Sequence, residues 1–240
     1  MISKLKGVVG IVTRKQLKQE ARQELSGNWW TAIKVMIIPY LLLAVVLTII
    51  GIATFATLKA NWTAGISEGA TMHHSHGTGG SSGASIIANL FLIGVQFTFL
   101  DWLRQHQAPL HPVRSGLQVF TGKHFFSVLI IFIVRNIFIF LWSLLLVIPG
   151  IIKGYSYSQA FFIYKDIKDR GESDKYSYLD YITLSRKLMD GHKMEFFVLQ
   201  LSFIGWDLLG MLTLGIGYLW ISPYKQMTFV NYYRHLTSEQ

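Results

Sequence analysis

"HFFSVLIIFIVRNIFIFLWSLLLVIPG", residues 124–150, decides the fold. From His124 to Ile148 the run is apolar almost without a break. A helical crossing of ~30 Å of hydrocarbon takes about 20 such residues, so the run is long enough for one. Pro149 and Gly150 then oppose continuation of the same helix. Near the middle stand Arg135 and Asn136, a charge and an amide where a lipid-facing helix tolerates neither easily.

The rest of the chain repeats this character. Of 240 residues 51% are hydrophobic, with a mean hydropathy of +0.38, well above what a soluble domain of this size needs. Further spans are expected at Thr31–Leu58, Ser85–Leu103, Ile151–Tyr164, Met194–Leu214 and 216–232. Ile151–Tyr164 is short and reads either as a full crossing or as half of a re-entrant pair. Pro149, Gly150, Gly215 and Gly217 are the expected span breakers or hinges. The expected fold is an all-α, polytopic transmembrane bundle of about six spans, arranged as three helical hairpins with cytoplasmic amphipathic helices. A segment 1–30 precedes a single transmembrane domain, 31–235, with a flexible outer loop at 59–84.

The formal charge of +9 does not point to nucleic acid, because the basic residues gather between apolar runs and not on one soluble face. Lys4, Lys6, Arg14, Lys15, Lys18, Arg22 and Lys34 lie before or at the start of the first span, Arg104, Arg114 and Lys123 follow the second, and Lys165, Lys168, Arg170, Lys175, Arg186, Lys187 and Lys193 follow the fourth. Lys225 and Arg234 fall on the same side. Only Lys59 and Lys153 fall opposite, so the positive-inside rule makes both termini cytoplasmic. The chain has no cysteine, which removes disulfides, thiolate metal sites and cysteine nucleophiles.

A repeat underlies the hairpins. "RQELSGNW" (22–29) aligns with "RKLMDGHK" (186–193), "VFTGKH" (119–124) shares their core, and each copy directly precedes a span. "GIIKGYSYSQAFF" (150–162) aligns with "GYLWISPYKQMTF" (217–229), pairing Tyr157 with Tyr224 and Gln159 with Gln226. The unit reads as a short amphipathic helix on the inner leaflet, ended by glycine before the chain turns into the bilayer. Leu17, Ala21 and Leu25 form one apolar face, with Thr13 and Gln16 in capping-box positions. Leu179, Ile182 and Met189 form another, with Ser177 and Asp180 as its box. Such helices stiffen the rim, and their basic residues would attract anionic headgroups.

The stretches "FLWSLLLVIPGIIKGYSYSQAFFIY" (140–164), "LSRKLMDGHKMEFFVLQLSFIGW" (184–206) and "LTLGIGYLWISPY" (212–224) resemble a domain-of-unknown-function family of integral membrane proteins from Gram-positive bacteria. "RKQLKQEARQELSGNWWTAI" (14–33) is also similar. The resemblance implies a helical, multi-pass protein of the bacterial plasma membrane and brings no established activity. The outer loop, rich in His, Gly and Ser, departs from that pattern.

Arg135 lies thirteen residues beyond Gly122 and Asp207 sixteen beyond Gly191, depths of ~20 and ~24 Å at equivalent points of two repeats. An ion pair between them is therefore expected, with Asn136, Gln200 and Gln96 at similar depth. The pair reads first as interhelical glue, and second as the centre of a polar cavity for a headgroup or small solute.

No catalytic constellation is present: no phosphate loop, His-Glu-x-x-His, Gly-x-Ser-x-Gly or carboxylate pair. Glu195 and His192 read as a helix start and a cap contact. His73, His74 and His76 sit in a low-complexity tail, so no metal site is expected. Trp29, Trp30, Trp62 and Trp102 read as interfacial anchors. The expectation is a non-enzymatic membrane protein without cofactor. It would bind or organise membrane lipids, with anionic headgroups at the cytoplasmic face, or a partner membrane protein or second copy. The alternative is a small transporter or lipid-translocating protein centred on Arg135 and Asp207.

Overall fold

The computed structural model describes residues 13–67, 81–121, 124–145 and 147–238, and every regular element among them is helical. The first helix, α1 (Arg14–Leu25), starts where the Thr13 hydroxyl accepts from the Gln16 amide at 3.3 Å. Gln16 itself turns to Glu20, so only half of the expected capping box forms. Gly27 takes φ +80° and ends the helix, and Gly191 takes φ +84° at the equivalent place in the third repeat. This left-handed backbone suits glycine, which lacks a clashing Cβ. The full capping box does form at Ser177, whose amide donates to the Asp180 carboxylate at 2.7 Å.

Helix α2 (Trp29–Ser67) continues nine residues past Leu58, and α3 (Ser81–Gln105) begins before Ser85. Polar residues mark a membrane boundary without ending a helix; "KANWTAGIS" (59–67) holds no proline and keeps its backbone hydrogen bonds at no steric cost. After α4 (Pro112–Gly116), α5 (Phe125–Leu145) and α6 (Val147–Ser156) form a helical hairpin. The break falls upstream of Pro149, which occupies the first turn of α6, where its missing N–H has no helical partner to lose. Gly150 serves the packing instead: a Cβ there would collide with Ser143 Oγ and lie 2.9 Å from Ser143 Cα.

The expected fourth span is divided by a turn at residues 157–159 into α6 and α7 (Ala160–Asp169). After α8 (Tyr178–Leu188), the fifth bends at Ser202 and Phe203 into α9 (Lys193–Leu201) and α10 (Ile204–Leu212). The last helix, α11 (Tyr218–Ser238), runs through Pro223.

Two stretches among the described residues are long and apolar enough to cross a membrane, Phe125–Leu144 and Lys193–Leu212. Only 11% of the first and 22% of the second is buried, unlike a soluble core helix. Ile133, Ile137, Phe140 and Leu144 on α5, and Leu208, Leu209, Met211 and Leu212 on α10, lie open. The helix α3 differs: Val95, Phe97, Phe99, Leu100 and Leu103 are wholly buried, so this apolar helix is enclosed by protein.

The amphipathic helices spend most of their apolar faces on protein, although Leu179, expected on the apolar face of α8, is half exposed. Leu17, Ala21 and Leu25 are buried where α1 packs on α11, and Tyr181, Ile182 and Leu188 where α8 packs on α5 and α7. The short helix α4 packs in turn on α2 and α3.

Candidate functional site

The ends of α3, α7 and α11, together with α1, carry a dense network of charged side chains. Lys165 is almost fully buried, with its amine 2.9 Å from Asp101 and 3.1 Å from Asp169. A buried ammonium is tolerable only with such compensation. Gln118 donates to Thr98 at 3.1 Å and approaches Asp101 at 3.4 Å. One turn on, Arg104 pairs with Asp166, whose other oxygen accepts from the Tyr233 hydroxyl at 2.6 Å. Burial first, and then Asp166, raise the Tyr233 pKa and keep that hydroxyl a donor.

Glu20 fastens α1 to this network. Its carboxylate meets His235 at 2.6 Å, Asn231 at 2.8 Å and Arg234 at 3.5 Å. Burial alone would raise the Glu20 pKa, but hydrogen bonds from His235 and Asn231 outweigh it and hold it below the usual value. Lys18 donates to the Ser202 carbonyl at 3.0 Å and sits 4.2 Å over the Phe203 ring, at the bend between α9 and α10. Burial, then Arg14, lower its pKa.

Sequence reasoning counted Lys165 and Arg104 only as loop charges. The signal that would have found them is local: "FFIYKDIKD" (161–169) places Lys165 and Asp169 four apart, directly against an apolar run. A third copy of the exit motif also lies in the sequence: "QFTFL" (96–100) matches "QAFFI" (159–163) and "QMTFV" (226–230). Gln96 and Gln226, at equivalent positions, meet side chain to side chain at 3.0 Å.

The expected Arg135–Asp207 pair does not form. Asp207 bonds Lys225 across α10 and α11 at 2.7 Å, and the backbone carbonyl of Asp207 accepts from the Tyr218 hydroxyl at 2.9 Å. The short turn at 213–217 folds α11 straight back on α10, so Lys225 reaches Asp207 before any residue of α5 can. Arg135 lies 5.6 Å over the Phe161 ring, its Nε enclosed and without a hydrogen-bond partner. Asn136 turns its amide onto the Phe132 carbonyl at 2.7 Å, and Gln200 accepts from Tyr155 at 3.1 Å.

Helix α10 ends at Leu212 and α11 begins at Tyr218, with Gly215 and Gly217 in the turn between them. Leu214 and Gly215 have φ of +52° and +91°, and the Gly217 amide donates to the Thr213 hydroxyl at 2.8 Å. His192 and Glu195 meet at 3.0 Å beside the start of α9. Trp30 is exposed, but Trp102 is buried edge-on to Phe99, so it packs the core and does not anchor an interface. His73, His74, His76 and Gly122 lie outside the described residues, among which no group of three metal-ligating side chains occurs.

No curated protein and no solved structure matches the chain. The N-terminal stretch 14–33 lies outside the one family match, which begins near the end of α5 and takes in Lys165, Asp166, Asp207, Lys225 and Tyr233. Over residues 144–240 the chain is similar to the family described as "Protein of unknown function (DUF975)".

Proposed function

We propose that this chain is a multi-pass, non-enzymatic protein of a Gram-positive plasma membrane, with both termini cytoplasmic. It binds or organises lipid, or a partner membrane protein, through its basic cytoplasmic face. The observation that supports this reading is the division of labour on α1 and α8. Leu17, Ala21 and Leu25 of α1 and Tyr181, Ile182 and Leu188 of α8 are taken up by protein, while Arg14, Lys15 and Arg22 along α1, and Arg186 and Lys187 just before the turn at Gly191, stay exposed. Each basic residue near an anionic surface contributes about 1 kcal/mol.

The test is the lipid shell retained by the full chain from nanodiscs of mixed phosphatidylglycerol and phosphatidylcholine. Phosphatidylglycerol enrichment is expected in the native protein and loss of it when the five residues become Gln. Equal shells would refute the reading. The transporter alternative is weakened by the engagement of Asp207 with Lys225, which uses up the acid meant to balance Arg135.

A further inference from the structure

We propose that Arg135 is the receptor for an oxyanion, a carboxylate or phosphate group, delivered to the middle of the helical bundle. The inference rests on the membrane reading above but not on the basic surface residues. Arg135 is the eleventh residue of α5, ~15 Å from either end of that helix. It stands inside Phe125–Leu144, one of the stretches able to cross a membrane. A cation so placed is kept only where something balances it.

The chain does not supply the balance. Asp207, the acid at comparable depth, is held by Lys225, and Asp101 by Lys165. Asn136 is spent on its own helix. Among the described residues the guanidinium has neither ion pair nor hydrogen bond, and its one polar contact is with the face of Phe161.

That contact has a chemical consequence. A ring gives the guanidinium no oxygen acceptor, so its five N–H donors stay without an oxyanion or carbonyl partner. The fork therefore remains for a planar or tetrahedral oxyanion, which it engages through two parallel hydrogen bonds. Nε is enclosed while the residue as a whole stays partly accessible. Ile133, Ile137, Phe140 and Leu144 leave much of the α5 surface open and apolar, which favours an oxyanion attached to an acyl chain.

The experiment uses the full chain in a neutral detergent, with oleate, phosphatidylglycerol, phosphatidylcholine and inorganic phosphate as separate probes. Binding is read by native mass spectrometry and by the shift of the thermal midpoint. Oleate or phosphatidylglycerol is expected to bind and raise the midpoint, and Arg135→Leu to weaken that binding at least tenfold. Arg135→Lys, which keeps the charge but not the fork, should fall between. Without any probe, Arg135→Leu should be at least as stable as the native chain. If inorganic phosphate matches the acidic amphiphiles, the receptor stands and its ligand comes from water. Unchanged binding in Arg135→Leu would overturn the proposal, as would a probe-free loss of stability showing that the chain itself holds the cation. Replacing the five surface basic residues should leave this binding intact, which separates its failure from that of the lipid-shell reading.

Discussion

Replacing Asp207 with Leu should expose the logic of the charges on α10 and α11. Asp207 and Lys225 meet at 2.7 Å with side chains about two-thirds buried. Removing the acid leaves an ammonium in an apolar segment, which costs ~2.5–3.5 kcal/mol on insertion scales and 3–5 kcal/mol in buried sites. Because a third of each side chain is accessible, about 2–3 kcal/mol is the reasonable figure. The double variant Asp207→Leu/Lys225→Leu removes both charges and should recover most of the loss, giving a coupling of about 1.5–3 kcal/mol. The matching cycle of Asp207 with Arg135 should be additive within about 0.5 kcal/mol, because those residues share no contact. Reversible unfolding in mixed micelles measures the five variants and the native chain. A large Asp207–Arg135 coupling with an additive Asp207–Lys225 pair would refute the assignment.

Three further outcomes follow from particular contacts. Glu20 has a lowered pKa in the folded chain, so its contribution to α1 docking is complete above the ordinary carboxylate value and is lost as pH falls through the lowered one. The protection of α1 amides relative to the unfolded chain at the same pH should therefore be high at neutral pH and fall only in acid, and Glu20→Gln should remove that dependence. Gly150→Ala should cost about 1–3 kcal/mol by forcing α5 and α6 apart at Ser143; retention of native thermal stability would show that the hairpin is looser than described. Tyr233→Phe deletes a 2.6 Å hydrogen bond to a carboxylate and should cost about 1.5–3 kcal/mol in chemical denaturation, with no effect if water replaces the hydroxyl.

What the sequence alone determined is what depends on neighbours along the chain. Apolar run length marked Phe125–Leu144, a box at Ser177 and Asp180 marked the start of α8, and glycines at 27 and 191 marked ends that need a left-handed residue. Each follows from local hydrogen bonding or local sterics. Hydropathy could not tell α3 from α5, because lipid and protein interior are equally apolar and an apolar helix suits both; only packing showed that Phe97, Phe99 and Leu103 face protein. Depth along a span likewise could not choose a partner for Asp207. Residues at one depth lie anywhere around a bundle, and the turn at 213–217 placed Lys225 there before Arg135. The same holds for Lys165, Asp166 and Glu20, whose cross-helix partners come from α3 and α11: charge pairing across helices is decided by azimuth and contact, which a one-dimensional pattern does not carry.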